Sequence, residues 1–151
     1  MDKIINRKIE NNPFFMAQVE IIIPFHGEQA HVSRLIDSIF KTVNTNRYLI
    51  TLVDDGSINS TFVKEFDKTP GVRCLRQENK GFGSAVNLAL KTPYFNKNIT
   101  WVCIVQSDVL VENNNWLSNM GNTINLLKSS GVKMVSPLTN NPMIDSPIFI
   151  G

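Results

Sequence analysis

Each β-favouring apolar run in this chain is followed by a stretch of helical periodicity, and that alternation leaves few architectures open. Residues 19–23 (VEIII) form a β-rich run closed by Pro24, the pattern of a strand buried on both faces. Val32, Leu35, Ile36, Ile39, Phe40 and Val43 then recur on one helical face, with Ser33, Arg34, Asp37 and Lys41 on the other. The same reading predicts strands at 48–53, 72–75, 101–105 and 132–135. Between them it predicts helices at about 60–66, 83–91 and 116–129. The third helix would bury Ala85, Val86, Ala89 and Leu90, and the fourth Leu117, Met120, Ile124 and Leu127, with Gly131 as its stop. The expected fold is therefore α/β, a mostly parallel sheet flanked by helices on both faces.

Residues 1–17 read as an N-terminal arm and 18–151 as one domain. Residues 137–151 carry Pro137, Pro142 and Pro147 before Ile148, Phe149 and Ile150. They read as a loop and the opening of another apolar element, so the domain is expected to be incomplete at its C-terminus. Lys and Arg total 15 against 13 Asp and Glu. That balance, without a basic patch, argues against nucleic acid and for a small-molecule partner. The polar start lacks a signal peptide, and no run approaches the roughly 18 apolar residues of a membrane span. A cytoplasmic location is the expectation. Cys74 and Cys103 each sit in a short apolar run and read as reduced thiols in neighbouring strands.

In such sheets ligands sit beyond the carboxyl ends of the strands. Three strand ends carry the chemistry. After the first stands Pro24-Phe25-His26-Gly27-Glu28, where a proline turns the chain out and the next residues can line a pocket. An ordinary strand-to-helix loop is the alternative, with Glu28 favouring the helix N-terminus. After the second stands Asp54-Asp55-Gly56-Ser57. Adjacent carboxylates at a buried strand end repel and lose hydration, so each needs partners. One would hold backbone donors in the turn, and the other would face the cleft and accept from a base or ribose hydroxyl; the alternative is that both simply cap the following loop. After the fourth stands Gln106-Ser107-Asp108; a lone carboxylate there suits Mg²⁺ or Mn²⁺, which bind one or two carboxylates plus substrate phosphates and water.

Together the segments VEIIIPFHGE, ITLVDDGS, ENKGFGSAVNLAL and IVQSDVLVENNNWL resemble family 2 glycosyltransferases, and MVSPLTNNP is similar to the strand and loop that follow in relatives acting on cell-surface polysaccharides. The likeness covers residues 18–145. It implies a GT-A, Rossmann-like fold, here without its C-terminal acceptor-side part. By the resemblance, Pro24, Phe25, His26 and Glu28 line the base and ribose pocket. Asp55 contacts base or ribose, Lys80 and Gly81 lie near the base, Ser107 lies near ribose and diphosphate, and Asp108 takes a divalent metal, Mn²⁺ or Mg²⁺. Two departures stand out: His26-Gly27 replaces the usual Tyr-Asn, and Gln106 replaces the first acidic or Asn residue of the metal motif.

The implied reaction is inverting, metal-dependent transfer of a sugar from a nucleoside diphosphate to an acceptor glycan or lipid-linked sugar, in surface polysaccharide or glycan synthesis. The general base is unassigned; Asp145 is the sole acidic residue after Glu112, and nothing around it marks it as that base. A non-catalytic binding or assembly module that keeps the fold is the second reading, its mark being self-association as a homo-oligomer near Ile148 to Ile150. A dehydrogenase fits worse. Gly81 and Gly83 follow the third strand, and Val86 stands where the dinucleotide fingerprint needs Gly or Ala.

Overall fold

The computed structural model describes residues 18–43, 48–59, 61–92 and 99–135. Four parallel strands, β1 (Val19–Phe25), β2 (Tyr48–Asp55), β3 (Val72–Gln77) and β4 (Trp101–Ile104), form one sheet in the order β3-β2-β1-β4. The helices are α1 (Gln29–Thr42), α2 (Thr61–Phe66), α3 (Phe82–Lys91) and α4 (Trp116–Leu127), the last running into a 3₁₀ turn at Lys128–Ser130. The expected N-terminal arm and everything from residue 136 onward, including Asp145 and Ile148 to Ile150, lie outside the described residues.

Strand alternation sends successive side chains to opposite faces. One face carries Ile21, Ile23, Phe25, Ile50 and Leu52 and packs against Val32, Leu35, Ile36 and Ile39 of α1 and Phe62 of α2. The half-buried Trp116, Leu117 and Met120 of α4 join that cluster, and the Trp116 indole donates to Thr42 Oγ1 at 3.2 Å. The other face carries Ile22 and Val53 under Ala85 and Ala89 of α3. Helices thus cover both faces, as the alternation implied.

A salt bridge is built into the α3 face. Arg73 of β3 reaches over β2 to Glu20 of β1 at 2.8 Å, and Thr51 between them donates to Glu20 at 2.5 Å and accepts from Arg73 at 2.9 Å. The hydrogen bonds through Thr51 compensate the desolvation of the two charges.

Several expectations need correction. Pro24 does not close β1; it stays in register with Val53, and the strand runs to Phe25. The Ile22 carbonyl accepts from Val105 on the β4 side, and two residues on the Pro24 nitrogen faces the same side, where β4 has already ended. Its missing donor costs no ladder bond there. Residues 132–135 are irregular and join no strand, with Met134 exposed. Phe40 and Leu90 fall at the margins of their helical stripes and are exposed, and α4 has no fully buried residue. Cys74 and Cys103 are free thiols, but on β3 and β4, at opposite edges of the sheet rather than in neighbouring strands. Among the described residues no helix is long and apolar enough to cross a membrane.

Burial pushes the Cys74 thiol up to about 12, with Asp67 adding to it, and the Cys103 thiol up to about 11. Since the thiolate is the nucleophile, neither should be alkylated by iodoacetamide at about pH 8 in the folded chain. Both should react in denaturant. Mass spectrometry of native and denatured samples checks this.

Candidate functional site

The strand order reverses beside β1: β2 and β3 lie on one side of it and β4 on the other. Loops leaving β1 and β4 therefore diverge and open a crevice at their carboxyl ends. A pocket of about 310 Å³ lies there. The β1 loop contributes Pro24, Phe25, His26 and Glu28; β2 gives Asp55, α3 gives Phe82, and the segment after β4 gives Gln106, Ser107 and Asp108. Asp55 and Asp108, far apart in sequence, thus line one cavity.

The two carboxylates closing β2 have different jobs. Asp54 is fully buried on the α1 face, where its Oδ1 accepts from the Ser57 amide at 2.8 Å and its Oδ2 pairs with Arg76. Arg76 also donates to the Ser57 carbonyl at 2.8 Å, so carboxylate and guanidinium together fix the turn. Gly56 lies in that turn at φ +78°, and a Cβ there would stand 2.5 Å from the Asn79 nitrogen. Only glycine fits.

Asp55 faces the other way. Its Oδ1 accepts from Gln77 Nε2 at 2.7 Å and the Lys80 amide at 2.9 Å, and its Oδ2 accepts from the Gly81 amide at 2.8 Å. Burial alone would push this carboxyl up, but the Lys80, Gln77 and Gly81 donors and the nearby His26 charge hold it below the ordinary aspartate value. It stays ionised at neutral pH. The stability it lends is full above the ordinary carboxylate range and is lost only as pH falls through its depressed pKa.

Two further bonds lace the β1 loop to its neighbours. His26 Nδ1 lies 2.7 Å from the Asp55 carbonyl oxygen, and the Gly27 amide donates to Ser57 Oγ at 2.7 Å. Across the crevice Ser107 Oγ donates to Glu28 Oε2 at 2.6 Å. Glu28 is the N-cap residue of α1, yet its side chain makes no capping bond; the carboxylate is drawn to Ser107 instead.

Of the residues the sequence singled out, Pro24, Phe25, His26, Glu28, Asp55, Ser107 and Asp108 come together in the pocket. Lys80 and Gly81 do not line it; they act through backbone amides on Asp55, and the Lys80 ammonium lies out by Glu78 at 3.9 Å. Two lining residues were not among the sequence candidates, Phe82 and Gln106. Phe82, 49% exposed at the first turn of α3, could have been found from its setting: a large aromatic between two glycines has little core to fill. Among the described residues no three of His, Cys, Asp and Glu cluster as a ready-made metal cage. The donor set after β4, an exposed carboxylate and an amide, instead fits a hard cation that takes its other oxygens from a ligand.

Removing Asp55 should release the β3–α3 loop. Asp55→Ala leaves two backbone donors without their acceptor, so stability should drop by about 2–3 kcal/mol. The Lys80 and Gly81 amides should exchange with deuterium faster than their neighbours, and chemical denaturation with hydrogen-exchange mass spectrometry reads both effects.

The fold recurs in solved glycosyltransferases. S. aureus TarS 1-349 is 20% identical over 74% of this chain and 33% of its own, with a TM-score of 0.59; the same protein in complex with UDP-GlcNAc matches equally, at 20% identity and TM-score 0.59 over 74% of this chain and 32% of that one. Mannosyltransferase PcManGT from Pyrobaculum calidifontis, in complex with GDP-Man and Mn²⁺, is 18% identical over 78% of this chain and 37% of its own, with a TM-score of 0.60. The chain spans about a third of the length of these structures. No curated protein matches it. The sequence pattern of Glycosyl transferase family 2 matches residues 20–140. With four parallel strands, helices on both faces and a crevice at the switch in strand order, this chain belongs to glycosyl transferase family 2 and has its GT-A, Rossmann-like fold.

Proposed function

We propose that this chain forms the donor-binding part of a glycosyltransferase that moves a sugar, with inversion, from a nucleoside diphosphate to the hydroxyl of a glycan or lipid-linked acceptor in surface polysaccharide or glycan synthesis. The observation that carries this reading is the single pocket into which the β1 loop, Asp55 and Asp108 all open. UDP-GlcNAc in TarS and GDP-Man in PcManGT support the donor class.

In this reading the β1 loop, from Pro24 to Glu28, walls the nucleoside. Phe82 offers a ring face to the base, since a half-exposed aromatic beside a polar cavity suits stacking on a π-system. Asp55 orders the Lys80–Gly81 backbone at the nucleoside end, with Lys80 and Gly81 close by. Ser107, held by Glu28, lies toward ribose and diphosphate.

Charge sets the next requirement. Among the described residues the lining includes the acidic Glu28, Asp55 and Asp108 and no Lys or Arg. A diphosphate entering such a pocket meets like charge at close range and needs a cation between. Asp108 would hold Mg²⁺ or Mn²⁺, with Gln106 offering its amide oxygen or a bridging water. When bound, the metal neutralises charge on the departing diphosphate. The acceptor hydroxyl needs a general base opposite the leaving group, which no described residue supplies.

Calorimetry tests the reading. UDP-GlcNAc or GDP-mannose should bind with Mn²⁺, and chelating the metal should weaken binding at least roughly tenfold. Asp108→Asn should lose most of that metal dependence, and Phe82→Ala should weaken the same donor roughly fivefold or more through lost stacking. A folded chain that binds neither nucleotide sugar, with or without metal, would leave only a non-catalytic module with this fold.

A further inference from the structure

His26 stands where the family usually has a tyrosine, and its ring is held in a way that fixes its chemistry. A backbone carbonyl can only accept, so the 2.7 Å contact between Nδ1 and the Asp55 oxygen requires the proton on Nδ1. The neighbouring Gly27 amide is pinned to Ser57 Oγ at 2.7 Å, which limits the loop's freedom to turn the ring. The ring atom left for a ligand in this pocket is Nε2, and in neutral histidine Nε2 carries a lone pair.

Among the described residues, the charged groups lining the pocket around it are all acidic. Asp55 closes β2, Glu28 lies on the same β1 loop, and Asp108 follows β4, while from the β3–α3 side the pocket meets the apolar Phe82; Lys80 is turned out toward Glu78. The wall is thus rich in acceptors, and what it recognises by hydrogen bonding is a ligand's N–H or O–H.

We propose that His26 is a specificity-determining residue of the donor site, its Nε2 accepting a hydrogen bond from the nucleoside, either a base N–H or a ribose hydroxyl. This rests on the donor-site reading above. Because Nδ1–H stays on the Asp55 carbonyl in both charge states, protonation alters only Nε2, converting an acceptor into a donor without moving the loop. The nucleoside then loses its partner. Donor binding therefore favours neutral His26, and binding to the protonated ring would have to release a proton. A histidine paired with the diphosphate would behave oppositely.

The test is calorimetry of UDP-GlcNAc and GDP-mannose with saturating Mg²⁺ between about pH 8 and about pH 6, in buffers of different ionisation enthalpy. Each phosphate of these donors is esterified on both sides and does not titrate there. For the donor that binds, affinity should fall toward the acid end, with proton release there. His26→Asn keeps an N–H for the Asp55 carbonyl but has nothing at Nε2; it should bind roughly fivefold more weakly at about pH 8, with a flat pH profile. His26→Gln, whose amide reaches toward the Nε2 position, should recover part of the affinity and also stay flat. Donor analogues blocked at the base N–H or lacking the 2′-hydroxyl identify which group Nε2 accepts: the one that matters should be insensitive to His26→Asn. Affinity that rises as pH falls, or a pH profile unchanged in His26→Asn, overturns the inference while leaving the donor site standing. Absence of binding by either donor at any pH overturns both.

Discussion

The site depends on two adjacent carboxylates that end β2 on opposite faces of the sheet. Asp54, on the α1 face, closes the turn through Ser57 and Arg76, and Asp55, on the α3 face, gathers the Lys80 and Gly81 amides. Strand alternation makes this division of labour unavoidable, since neighbouring side chains cannot share a face. Each carboxylate is buried, so each must be surrounded by donors. Satisfying that requirement pulls the β3–α3 loop over the sheet end and brings Phe82 to the pocket. The electrostatics of one dipeptide thereby shape three loops.

The same logic extends across the crevice. Ser107 and Glu28 come from opposite sides of the switch in strand order, and their 2.6 Å bond ties the two walls. Glu28 forgoes capping α1 to make it. A helix N-terminus welcomes a carboxylate, so its engagement elsewhere marks a local rule overridden by the demands of the pocket. Conflicts of this kind gather at functional sites.

Much of this was legible in the sequence because the signals were physical. Helical periodicity placed α1, and the apolar β-runs placed the first four strands to within a few residues. Repulsion between Asp54 and Asp55 called for partners for each, and the turn-holding role is the one Asp54 fills through the Ser57 amide. What stayed hidden was whatever depends on spatial neighbours. Strand order is not encoded in any single strand, so Cys74 and Cys103 looked adjacent although they lie on opposite edges of the sheet. Residues 132–135 have the composition of a strand, but among the described residues they pair with none and stay irregular. Pro24 has the chemistry of a strand breaker, and only the early end of β4 lets it remain within β1. Phe82 lies between Gly81 and Gly83, but its place in the pocket depends on how the β3–α3 loop folds over the sheet end.

The β4 side of the sheet has a bearing on how firmly the pocket is held. β4 pairs with β1 alone among the described residues, and Val102 and Ile104 on its α3 face are 42% and 46% exposed. α3 packs over β1, β2 and β3 and leaves that corner bare. The pocket lies at the end of the β1–β4 pair, so its Asp108 wall stands on the least supported strand, whereas its Asp55 wall stands on a strand paired on both sides. Preorganisation is therefore unequal across the site. The Asp55 wall is set by buried bonds already in place, while the Asp108 wall is held mainly by the Glu28–Ser107 clasp. A ligand bridging Asp55 and Asp108 would add a second tie between the two walls, so its binding would stiffen the weaker wall more than the stronger.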